Sequence, residues 1–166
     1  MIRKDMLIAA LLEGLLLMVA AAAGWATRQP LIFASLGPTA YEMIETPKRR
    51  TARPYNIFVG HLSAVLCAFF ALWVTGAWWT PVVSRHGVPF IRIWAVMLAA
   101  VLTVFFTLRL RAAQPAAVST TLLIATGAMQ TKREGLMILA AVVLTMAAGE
   151  PLRRWRARVI AEGEGV

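Results

Sequence analysis

The chain has 166 residues, 60% of them hydrophobic, with a mean hydropathy of +0.70 and a formal net charge of +9. So apolar a composition excludes an ordinary soluble fold, and the basic residues stand in short clusters between apolar runs, a pattern of membrane topology rather than a nucleic-acid footprint. One cysteine, Cys67, and two separated histidines, His61 and His86, exclude an internal disulfide, a thiolate zinc site and a local metal signature.

A short basic lead, Met1–Asp5, precedes the first apolar run, Met6–Trp25, which is interrupted only by Glu13. Arg3, Lys4 and the small residues Ala20–Ala23 imitate a secretory signal, but the run is long, holds Glu13 and is followed by further runs, so an uncleaved first span is predicted. Pro30–Ile44 is too short for an ordinary span, and Gly37-Pro38 should bend or break a helix there. Ile57–Trp79 is the second long run, with Trp73, Trp78 and Trp79 crowding its end as in an aromatic belt. Phe90–Leu110 is the third, with Arg92 near its start. Pro115–Met129 is a second short segment that begins with Pro and carries hydroxyl residues. Leu136–Gly149 is the fourth run, extended by the flanking Arg133–Glu134 and Glu150–Arg153. A helix needs about 20 apolar residues to cross the hydrocarbon core. The prediction is an all-α integral membrane protein with four long transmembrane helices and two short broken or half-helices. All lie in a single transmembrane domain, 1–166, with no soluble domain.

Charge orients the chain. If both short segments cross and the N-terminus is inside, the inner face holds Arg3, Lys4, Lys48, Arg49, Arg50, Arg53, Arg109, Arg111, Arg153, Arg154, Arg156 and Arg158. The outer face then holds Arg28, Arg85, Arg92, Lys132 and Arg133, which completes the 17 basic residues. Re-entrant short segments leave no such bias, so six crossings with both termini cytoplasmic are predicted. Gln29-Pro30 and Gln114-Pro115 lie 85 residues apart, and Ala34-Ser35 aligns with Ser119-Thr120 at the same offset. Each half, approximately 1–80 and 86–158, reads long, short, long. Three crossings are odd in number, so the second half enters from the opposite face as an inverted repeat.

In this arrangement the short helices start near the midplane, at Ala34 and Ala116, and their N-termini converge. A helix N-terminus carries about half a positive charge and unpaired N–H groups, so two facing N-termini can hold an anion without a buried cation. Ser35, Thr39, Ser119 and Thr120 are the expected substrate contacts, with Thr121 nearby and Gly37 allowing close backbone approach. Such hydroxyls also serve simply to satisfy carbonyls and pack helices. Glu13 either relays a proton or pairs with a polar group on another span. His61 either gates or carries protons, or makes a plain hydrogen bond to the neighbouring short helix. Glu42 and Glu45 are expected beside Lys48–Arg53. No cofactor motif and no catalytic constellation appears.

"ASLGPTA" at Ala34–Ala40, a basic loop, and "ARPYNIFVGH" at Ala52–His61 resemble the HPP family of bacterial, cyanobacterial and plastid membrane proteins, with Pro54, Asn56, Gly60 and His61 at the matching positions. "AQPAAVSTTLLIATG" at Ala113–Gly127 is similar to the stretch that carries the family's His-Pro-Pro signature, which reads Gln114-Pro115-Ala116 here. The resemblance implies four spans and an anion transporter, with nitrite first among substrates. Asn56, His61 and Gln114 would support or gate the site, but Gln114 cannot titrate as the family's imidazole does. The expectation is thus a small-anion transporter of a bacterial inner membrane, without cofactor or metal. It is a homo-oligomer, since four long spans give a polar midplane site little shielding. The rival is a non-transporting scaffold or accessory subunit, packing on a partner through Ala20–Gly24 and Ala147–Gly149.

Overall fold

The computed structural model describes residues 4–163; of the basic lead, Met1–Arg3 falls outside them. Among the described residues the chain forms seven α-helices and no strand. They are α1 (Lys4–Thr27), α2 (Leu36–Glu45), α3 (Pro54–Thr75), α4 (Val83–His86), α5 (Phe90–Arg109), α6 (Pro115–Ala125) and α7 (Lys132–Gly163). α1, α3, α5 and α7 are long and apolar enough to cross a membrane, whereas α2 and α6 are not. The protein is therefore an integral membrane protein with four long spans and two short helices between them.

Local sequence sets several boundaries. Pro54 and Pro115 open α3 and α6, where a missing N–H costs nothing. Gly76, at φ +75°, ends α3 in the left-handed conformation. The break comes before Trp78 and Trp79, so the aromatic end expected inside the second span folds into a 3-10 turn instead. Trp78 packs on Phe69 with ring centroids 5.3 Å apart, while Trp73 and Trp79 stay exposed. α7 runs well beyond Gly149, because Glu150 pairs with Arg153 and Arg154 at helical spacing and carries the helix into its charged tail.

α3 is the centre of the bundle. It packs on α5 and α6 on one side and on α7 on the other, and α1 and α2 pack with α7. The outward faces of α1 and α5 carry Met6, Leu11, Met18, Phe90, Met97 and Phe105, a surface suited to lipid. The two small-residue runs are used in part within the chain: Ala20 is fully buried and Gly149 faces Met43 and Leu16, while Ala22 and Ala147 are exposed. Gly60 permits a close approach of the 110–114 connection to α3, since a Cβ there would lie 2.7 Å from Gln114 Cβ. Gly60→Ala is expected to destabilise the protein by about 1–3 kcal/mol through overpacking. Thermal unfolding of the detergent-purified variant is the check, and an unchanged midpoint would contradict this account of Gly60.

Candidate functional site

The non-helical segment 30–33 leads from the end of α1 into α2, and residues 110–114 lead from α5 into α6. The second connection is pinned to the start of α3. Tyr55 donates its hydroxyl to Leu110 O at 3.1 Å, and the Asn56 amide donates to Arg111 O at 3.4 Å and Ala113 O at 3.2 Å. Asn56 thus supports the loop that delivers α6 to its place.

α2 and α6 meet against the His61 face of α3. Ser35 Oγ lies 2.7 Å from Thr120 Oγ1, Thr120 Oγ1 lies 2.8 Å from His61 Nδ1, and His61 Nε2 lies 3.1 Å from Thr39 Oγ1. Thr39 then donates to Ser35 O at 2.9 Å. All four residues are fully buried. Donor and acceptor counting fixes the protons. Thr39 uses its own proton on Ser35 O, so it accepts from His61 Nε2–H. A neutral ring then accepts at Nδ1 from Thr120, which in turn accepts from Ser35. The result is a closed circuit that leaves and returns at Ser35. It explains why Ser35, at the N-cap of α2, makes no side-chain cap to its own helix.

The other expected contacts lie at the margin. Ser119 is half-buried, next to Thr120. Gly37 faces open space, with nothing within 4 Å of where its Cβ would be. Thr121 Oγ1 turns the other way, to Thr103 Oγ1 at 2.9 Å. Glu13 does not join the circuit; its carboxyl faces Glu45, toward the end of α2.

The two short helices run side by side and antiparallel instead of meeting end to end. Ser35, at the start of α2, faces Thr120, five residues or about 8 Å into α6. Gln114, at the N-cap of α6, faces Glu42, near the end of α2. The N-termini are therefore staggered, a consequence of packing across 85 residues of chain that no local signal specifies.

The C-terminal ends of both short helices are held by buried arginines. Arg92, on α5, donates from Nη1 to Ala125 O at 2.8 Å and from Nη2 to Thr80 O at 2.8 Å and Gln130 Oε1 at 2.7 Å. Arg156, on α7, donates from Nε to Ile44 O at 3.3 Å and pairs through Nη1 with Asp5 at 2.6 Å. Each cation meets the negative end of a short helix. Sequence reasoning had assigned both arginines to topology. An isolated cation three residues into an apolar run, as at Arg92, is the one signal that pointed inward.

Comparison with known proteins returned one family. The family described as "HPP, transmembrane region" matches residues 3–149. No curated protein and no solved structure matches the chain. The family match spans α1 through most of α7 and includes every residue of the circuit, and on that basis the chain belongs to the HPP transmembrane family.

Proposed function

We propose that the protein is a small-anion transporter, with nitrite as the first substrate to test. It would lie in a bacterial inner membrane with both termini cytoplasmic and work as a homo-oligomer. The observation that carries this reading is the Ser35–Thr120–His61–Thr39 circuit, a fully buried polar contact between two short helices within an apolar bundle. An ionisable residue such as His61 inside a span is rare and is a functional candidate by default. In the present state the four side chains satisfy one another, so the contact is closed. Opening α2 from α6 would free hydroxyl donors and the N-terminal N–H groups of α2 for an anion, with Ser35, Gly37, Thr39, Ser119 and Thr120 around it.

The proposal includes an inverted repeat within a single transmembrane domain, for which two observations speak. Ser35 and Thr120, bonded to each other, differ by 85 residues, the offset of the two Gln-Pro pairs. Residues related by a pseudo-two-fold axis touch each other only on that axis. α1 and α5, at matching places in the two halves, are each followed by an arginine in the left-handed region, Arg28 and Arg111, both at φ 52°.

Nitrite flux into proteoliposomes containing the purified protein, against empty liposomes, tests the proposal, with formate, nitrate and chloride in parallel. Saturable flux above the empty control is expected. Thr120→Val, which removes a hydroxyl proposed to contact the anion, should lower the rate at least about tenfold, the worth of one hydrogen bond to a charged group. Equal rates in variant and parent would remove Thr120 from the site. Absence of flux for all four anions, from folded and inserted protein, would favour a scaffold role.

A further inference from the structure

The circuit around His61 has no donor to spare, but a second polar cluster has. Glu42 Oε2, Thr51 Oγ1 and Gln114 Nε2 are all buried, and none makes a hydrogen bond of acceptable geometry. They are nevertheless neighbours: Gln114, Thr51 and Arg49 all act on the Glu42 carboxyl. Gln114 is 3% exposed, and its other amide atom, Oε1, is committed to capping Ala116 N at 3.4 Å. Its Nε2 is buried beside the Glu42 carboxyl without a hydrogen bond of its own. Gly60 lets the Gln114 stem lie close against α3.

This cluster has the chemistry of an anion site. It combines an unused amide donor, an unused hydroxyl, a nearby guanidinium and the positive end of α6. The group lying among them is the protein's own carboxylate. The remaining acids nearby belong to another cluster: Glu45 faces Glu13 and, with Asp5, is drawn to Arg156, which lies 3.9 Å from Glu45 and 2.6 Å from Asp5. Glu42 is the acid of the α6 side, and its Oε2 is buried without a hydrogen-bond partner. An ion pair built for stability would satisfy its donors at depth.

We propose that Gln114, Thr51 and Arg49 form a small-anion station at the N-cap of α6 and that the Glu42 carboxylate is a tethered competitor occupying it. The proposal rests on the transporter reading and adds to it a second station, about 9 Å along α6 from the Ser35 contact. Transported anion and Glu42 exclude each other there. The apparent affinity is therefore the intrinsic affinity reduced by the fraction of time that Glu42 is displaced.

The test compares nitrite flux and nitrite binding by calorimetry for the parent and Glu42→Gln, at constant neutral pH. Gln keeps the size of the side chain and removes the competing charge. A nitrite KM and Kd lower by about tenfold or more are expected in E42Q, through the larger competent fraction. Flux in E42Q where the parent shows none also supports the proposal. Flux in the parent with KM and Kd unchanged or raised in E42Q overturns it while leaving the transporter reading standing; a bridging water between these groups would give that result. No flux and no binding in either protein removes both. If E42Q fails to fold, as judged by gel filtration, Thr51→Val and Gln114→Leu carry the test in the opposite direction. Loss of those donors should raise the nitrite KM, and an unchanged KM in both overturns the station.

Discussion

His61→Leu is expected to lower the protein's stability by about 2–4 kcal/mol, the cost of two lost hydrogen bonds and a buried hydroxyl left without an acceptor. The leucine fills most of the ring's space, so the loss is polar rather than steric. Thr120 would have to turn its proton back onto Ser35 Oγ, and the Ser35 proton would then have no acceptor in a site closed to water. His61→Gln offers both a donor and an acceptor and should recover part of the stability. Thermal unfolding of the two variants in detergent separates the outcomes. If H61L matches the parent, the hydrogen bonds of His61 contribute nothing and the circuit is not a structural unit. On the transporter reading, H61L also loosens the contact between the short helices, so its flux should change even at temperatures where it remains folded.

The second large effect is expected at Arg92. Arg92→Met leaves Ala125 O, Thr80 O and Gln130 Oε1 without their donor and removes the cation that faces the C-terminal end of α6. Hydrogen bonds to charged groups are worth more than neutral ones, and the combined cost should reach about 3–5 kcal/mol. Arg92→Lys should recover little, because one ammonium cannot span acceptors on three separate segments as the planar guanidinium does. Gly127 provides an independent check. It has φ +86°, and a Cβ there would lie 2.5 Å from Arg92 Nη2, so Gly127→Ala strains the backbone and displaces the arginine together. Both changes act on one contact, so the double variant should be less destabilised than the sum of the two. Full additivity in a denaturant titration would show that Gly127 and Arg92 act separately.

These residues also mark the limits of what sequence could tell. The four spans were legible because bilayer thickness imposes a length that composition reveals directly. The short helices were legible too, since Pro30 and Pro115 open segments too short to cross in the usual way. α2 begins only at Leu36, with 30–33 outside any helix, close to the Ala34 start expected. The bond from His61 to the neighbouring short helix was one of two readings of an imidazole one turn inside a span. What sequence did not carry was the direction of the long charged side chains. Arg92 and Arg156 were counted as topology signals, yet both fold inward, because the carbonyls of a short helix that ends inside the bundle need a donor. The stagger of α2 and α6 was hidden for a similar reason. Helix ends follow from local residues, but the register between segments 85 residues apart follows from packing around Gly60 and Gln114. Glu42 looked like one more acid beside a basic loop, and only the unmet donors of Gln114 and Thr51 set it apart.

The tie between Arg156 and Asp5 joins residues 151 apart, almost the first and last helical turns of the chain. α1 finds its principal neighbours in α2 and α7. During synthesis, therefore, the first span enters the bilayer long before the span that will hold it. Until α7 is inserted, Arg156 is missing from the end of α2, and the half of the bundle made first waits for the half made last. A ribosome stalled before α7 would leave α1 beside an unclamped short helix, a state open to membrane proteases and chaperones. The last long helix thus supplies the arginine that holds the end of the first short one.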